Sequence, residues 1–195
     1  MVIDAYRYSL PSWGRALTIE VARGGNIFGG GDFAPHRIIP DFYRAAQNGS
    51  TLKQRKPQAK RPWQHVLDLC DAYQILLERV LGGDSTHPGE NWNFGPLSED
   101  SIPVIELIQR LESFWQTLPL EIESGPPETI RLTLDSTKAR TKLGWHPRLN
   151  LNQALHLTAE WYKTSLINPA HVADLTRQQI GTHQASNACH SKNNA

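Results

Sequence analysis

Three stretches of this sequence hold residue types from which a binding site for a charged ligand could be built. The first runs Arg23-Gly24-Gly25-Asn26-Ile27-Phe28-Gly29-Gly30-Gly31-Asp32, with five glycines in the eight positions from Gly24 to Gly31. Backbone so poor in Cβ atoms either turns sharply or lies close against something else. Asn26 offers an amide donor to a phosphate or sugar oxygen. A glycine-rich crossover loop with no ligand is the other reading, and the residues alone leave both open. The spacing is not the G-x-G-x-x-G of a dinucleotide-binding turn.

The second stretch crowds Lys53, Arg55, Lys56, Lys60 and Arg61 into nine positions ahead of Pro62-Trp63-Gln64-His65. Guanidinium forks suit phosphate oxygens, and an aromatic ring offers a packing face. A solvated basic loop is the commoner fate of such lysines. Arg61 stands apart because it abuts Pro62-Trp63 just before a strongly apolar helical pattern. The third stretch, Asn93-Phe94-Gly95-Pro96, reads on its own as a strand ending in a turn. The histidines His36, His65, His87, His146, His156 and His171 are scattered without metal-ligand spacing, and Cys189-His190 lies in a polar end segment. No nucleophile-elbow or catalytic-cysteine pattern is present. No catalytic residue and no metal ligand is therefore assigned.

The elements that must hold these stretches follow from periodicity. Met1 to Tyr8 reads as the end of a helix, with Val2, Ile3 and Tyr6 on one face. Ala16 to Ala22 is a short apolar run that predicts a buried strand from a parallel sheet. It has the character of a central strand, yet little precedes it to cover it, so the sequence reads as starting part-way through a fold. Ile38, Ile39, Phe42, Tyr43 and Ala46 predict a helix ended by Gly49. Val66, Leu69, Cys70, Tyr73, Leu76, Leu77 and Val80 predict one over Val66 to Leu81, stopped by Gly82-Gly83. Asn91 to Phe94 and Arg131 to Leu134 read as strands. Ser101 is placed to cap a helix faced by Val104, Leu107, Ile108, Leu111 and Trp115, with Pro103 in its first turn. Asp135 caps a short helix ending at Gly144, and Asn150 caps a last long helix ending before Pro169. The fold class is α/β.

Composition bounds what such a molecule can do. The chain has 195 residues, 39% hydrophobic and 20% charged, with a net charge of +1. That suits one domain with a core, or one with a short appendage. It gives no overall field toward nucleic acid or a membrane surface, so no nucleic-acid or membrane partner is expected. The two cysteines, Cys70 and Cys189, make no disulfide framework and predict a reducing, cytoplasmic setting. No apolar run reaches membrane-span length, and the first ten residues lack the pattern of a signal peptide.

Taken together, these stretches resemble the extended short-chain dehydrogenase/reductase superfamily of nucleotide-sugar enzymes, and within it the CDP-glucose 4,6-dehydratases. The segment Ala22 to Asp32 is similar to their A-R-x-G-N-V-I-G-G-G-D. Arg61 to Val66 is similar to their R-P-W-Q-H-V, and Asn91 to Pro96 to a stretch ending W-N-F-G-P. Leu134 to Ala139 followed by Leu143 to Pro147 resembles L-D-x-S-K-A and L-G-W-x-P. The likeness spans roughly residues 1 to 182. One departure is Ile130-Arg131, where the family has H-Y.

The resemblance implies the C-terminal part of that fold: an incomplete Rossmann sheet with a small substrate-binding domain. Residues 1–35 would be a remnant of the NAD-binding domain, 36–182 mainly the substrate domain, and 183–195 a disordered tail. It implies that Asn26, Arg37, Arg61 and Asn93 bind a nucleotide-sugar such as CDP-glucose. The intact family uses NAD and is oligomeric. This sequence has neither the glycine fingerprint nor a Y-x-x-x-K pair; four residues after Tyr6 and Tyr8 stand Leu10 and Ser12. The expectation is therefore substrate binding without tight NAD binding and without turnover by this chain alone. A separate N-terminal half, a non-catalytic binding role, and a different nucleotide-sugar epimerase or dehydratase all stay open.

Overall fold

The computed structural model of the chain describes residues 2–9, 18–82, 89–125 and 129–190. Helix α1 covers Val2–Ser9. Strand β1 (Val21–Gly24) and strand β2 (Asn26–Phe28) follow, separated only by Gly25. The remaining elements are α2 (Ile38–Asn48), β3 (Leu52–Gln54), β4 (Lys60–His65), α3 (Val66–Leu81), β5 (Asn91–Phe94), β6 (Ser101–Pro103), α4 (Val104–Phe114), β7 (Leu120–Ile122), α5 (Thr137–Leu143), α6 (Leu151–Ile167) and α7 (Val172–His190).

The strands form three small sheets. β1 pairs in parallel with β5, from Val21 opposite Asn91 to Gly24 opposite Phe94. β4 is central in the second sheet, parallel to β2 on one side and antiparallel to β6 on the other. β3 pairs in parallel with β7. Gly25 is thus where the chain steps from the first sheet to the second.

Two apolar cores sit around these sheets. The larger joins Phe28, Phe42, Leu52, Trp63, Leu107, Leu111, Leu155 and Tyr162, so it packs α2, α4 and α6 against β2 and β4. The smaller joins Leu69, Leu76, Trp92, Phe94, Ala139 and Trp145 between α3, α5 and β5. Burial of side chains of this size is the main favourable term in the fold.

Helix ends follow the residue chemistry. α2 stops at Gly49, which adopts the left-handed φ of 61° that an L side chain resists. α6 opens on a capping box in which the Asn150 side chain accepts from Gln153 N–H and Gln153 returns a bond to Asn150 N–H. α3 covers Val66–Leu81 as its periodicity predicts.

Elsewhere the structure departs from the sequence reading. The first strand is Val21–Gly24, not Ala16 to Ala22; residues 16 and 17 lie outside the described residues, and 18–20 are not strand. Pairing starts only at Val21, because β5 begins at Asn91 and the Glu20 carboxylate turns aside to accept from Glu90 N–H and Trp92 Nε1. The strand is half-buried, not fully covered.

Ser101 does not cap α4. It lies in β6 opposite Pro62, and Pro103 takes the N-cap position. Arg131 makes a single bridge to Lys60 and no strand follows, since β4 offers it only that residue. Asp135 does hold an N–H at the start of α5, that of Thr137, but from one residue ahead of the N-cap Ser136.

α6 is not the last helix. α7 continues past residue 183, where a disordered tail was expected, to His190. Its His183 is buried against Asp68 of α3, a tertiary partner that local polarity does not reveal.

Candidate functional site

The parallel pair β2–β4 carries the first two motifs on neighbouring strands, with Asn26 opposite Trp63 in register. A cavity of about 200 Å³ opens beside it, lined by Asn26, Arg37, Arg61, Trp63, Arg55 and Lys56, with Asp32 on the same wall. Four cationic side chains against one carboxylate give this cleft an excess of positive charge.

Trp63, Arg61 and Arg37 are held by the fold. Trp63 is buried, and its Nε1 donates to Ile102 O at 3.1 Å, which fixes the ring at the cleft floor. Arg61 donates from Nη1 to the backbone oxygens of Lys60, at 2.9 Å, and Thr129, at 2.7 Å. Arg37 donates from Nη2 to Ile27 O at 2.6 Å, and its Nε lies 3.3 Å from Asp32 Oδ2. Half of that side chain remains exposed. His36 precedes it with a φ of +62°, a left-handed conformation uncommon outside glycine, at the mouth of the cleft.

The glycine loop is explained by packing. A Cβ on Gly30 would overlap the Trp161 ring of α6, one on Gly29 would press on Val66, and one on Gly25 would meet the Pro62 carbonyl. Gly31 has a φ of +84°. Next to it, Tyr162 donates its hydroxyl to Asp32 O, and burial pushes the Tyr162 phenol well above its usual range. In this run Gly25, Gly29 and Gly30 are thus packed against protein atoms where a Cβ would stand, the space being taken by the chain's own side chains at Gly29 and Gly30 and by its backbone at Gly25.

Of the four residues that the resemblance pointed to, the fold brings Asn26, Arg37 and Arg61 to one cleft. Asn93 lies on β5 and engages different partners: its Nδ2 donates to Asp135 O at 3.2 Å, and its Oδ1 faces Arg23 Nη1 at 3.5 Å. Arg55 and Lys56 also line the cleft, although their run reads as a solvated loop; only the pairing of β3 and β4 with distant strands shows which way the loop turns.

No family model matches the chain. The CDP-glucose 4,6-dehydratase of Salmonella typhimurium is 38% identical over 144 residues, covering 72% of this chain and 40% of that protein. The chain belongs to the nucleotide-sugar dehydratase and epimerase family of extended short-chain dehydrogenase/reductases. A second member, the dTDP-glucose 4,6-dehydratase of Streptomyces niveus, is 30% identical over 78% of the chain and 44% of its own length. The chain thus spans less than half the length of these relatives.

Solved structures agree on the fold. The UDP-glucose 4-epimerase of Stenotrophomonas maltophila, with bound NAD, superposes with a TM-score of 0.70 at 19% identity over 85% of this chain and 53% of the other. The dTDP-glucose 4,6-dehydratase of Bacillus anthracis, in complex with NAD, gives 0.63 at 22% identity over 80% and 46%. No described helix is long and apolar enough to cross a membrane.

Proposed function

We propose that this chain supplies the nucleotide-sugar binding part of a CDP-glucose 4,6-dehydratase. The carrying observation is the meeting of Asn26, Arg37 and Arg61 on one cationic cleft. In this reading Arg61 and Arg37 engage the diphosphate, Asn26 donates to a phosphate or sugar oxygen, and Arg55 and Lys56 add to the field that draws the anion in. Asn93, on another sheet, serves to tie β5 to Asp135. The whole enzyme would convert CDP-glucose to CDP-4-keto-6-deoxyglucose with loss of water, for deoxysugar and surface-polysaccharide synthesis. NAD and the acid/base groups belong to other residues of that enzyme. What this chain's residues contribute is orientation, which lowers a barrier without taking part in bond making.

Calorimetric titration of the purified chain with CDP-glucose tests the reading, with UDP-glucose and dTDP-glucose as rivals. Binding is expected to be tightest for CDP-glucose, and Arg61→Ala is expected to weaken it about tenfold or more, the loss of one charged hydrogen bond. Absence of binding, or an Arg61→Ala variant with unchanged affinity, would overturn it. A preference for UDP-glucose or dTDP-glucose would keep the site and reassign the nucleotide.

A further inference from the structure

Two buried side-chain nitrogens lack a hydrogen-bond partner among the described residues, and they are neighbours in sequence: Gln64 Nε2 and His65 Nε2. Gln64 is 2% exposed. Its Oε1 accepts from Gly25 N–H at 3.2 Å. That bond fixes the orientation of the carboxamide, because an N–H requires an acceptor, and the amide nitrogen then points away unpaired. A residue needed only to fill this space could be apolar and would avoid the cost of a buried unpaired donor.

The partner of Gln64 explains the choice. Gly25 is the single residue between β1 and β2. The Pro62 carbonyl fills the space that a Cβ on Gly25 would take. The step from one sheet to the other is therefore pinned to β4 by Pro62 and by the Gln64 carboxamide. The next residue is Asn26, which lines the cleft with Arg61. We propose that Gln64 is a positioning residue: by holding Gly25 N–H it sets where Asn26 stands in the cleft. The link to ligand affinity rests on the cleft being a nucleotide-sugar site.

Gln64→Met removes the acceptor at nearly constant volume, and Gln64→Glu keeps an oxygen in its place. Both are made in the full chain and checked for cooperative unfolding. In the free protein, amide exchange at Gly25 and the side-chain amide resonance of Asn26 are followed by NMR. The methionine variant is expected to exchange faster at Gly25, to shift the Asn26 resonance and to bind CDP-glucose about five- to tenfold more weakly, the worth of one neutral hydrogen bond. The glutamate variant is expected to restore the Gly25 protection, since its carboxylate oxygen accepts the same N–H. Wild-type exchange and resonance in the methionine variant would overturn the proposal, as would a glutamate variant that leaves Gly25 as unprotected as the methionine variant does. If the parent chain binds no CDP-glucose, the reading of the cleft falls and the affinity claim with it. The exchange data then decide separately whether Gln64 holds the bend.

Discussion

Asp68 Oδ1 on α3 and His183 Nε2 on α7 lie 2.8 Å apart, both side chains almost wholly buried. The same carboxylate oxygen accepts from Arg148 N–H at 3.0 Å. The Arg148 guanidinium pairs with Asp71 and donates to His183 O at 3.0 Å. One buried carboxylate thus ties α3, the segment before α6, and α7 into a single network.

Breaking such a network from one side strands its remaining members. Asp68→Ala is expected to destabilise the chain by about 1–3 kcal/mol, the cost of leaving its buried partners unsatisfied, and His183→Ala by a smaller amount, since the Arg148 backbone N–H still donates to the carboxylate. The double variant should cost less than the sum of the singles, because both remove the same contact. Urea unfolding of the four proteins measures this; additive losses would mean that the two residues act separately.

His65 gives a pH dependence of known sign. Burial lowers its pKa from 6.5 to about 4, with Asp68 opposing and His183 adding to the shift. The unfolded chain therefore binds the proton more strongly than the folded chain between those values. Stability is complete above about pH 6.5 and falls as the pH drops toward 4, by up to about 3 kcal/mol from this residue. Unfolding free energies at pH 5 and 7.5 measure the slope, and His65→Gln is expected to flatten it.

Gly30 is packed under the Trp161 ring. Gly30→Ala adds a methyl group where there is no room, and overpacking of this kind costs about 1–3 kcal/mol. Trp161→Leu in the Gly30→Ala background is expected to recover part of that loss. Thermal unfolding of the single and double variants checks it.

The placement of Asn93 separates motif from site. Asn93→Ala is expected to leave CDP-glucose affinity within about twofold of the parent, while Arg37→Ala weakens it about tenfold. Both are read by the same titration. A large loss for Asn93→Ala would mean that the ligand extends across to β5.

Much of this fold is written locally. α3 is legible because seven apolar residues recur at helical spacing and Gly82 follows. The start of α6 is legible because Asn150 and Gln153 satisfy each other's backbone. What is not legible depends on distant partners. β3 and β7 are short and mixed in character, and only their mutual pairing makes them strands. Ser101 looks like a cap until β4 claims its backbone. In the cleft, Asn26, Arg37 and Arg61 are marked by their motifs, whereas Gln64 looks like any strand residue until Gly25 is seen beside it. The glycine run is ambiguous in sequence because its reason, Trp161, stands on another helix.

The strand pairings also set the order of assembly. Among the described residues no two successive strands form a hairpin: Val21 meets Asn91, Asn26 meets Trp63, Leu52 meets Leu120 and Lys60 meets Pro103. Every ladder must close a long loop before its first hydrogen bond repays the lost chain entropy. Helices can form within microseconds, but the sheets must wait for remote segments to find one another. Folding of this chain is therefore expected to be slower than that of a helical bundle of its size, with the closing of these loops setting the rate.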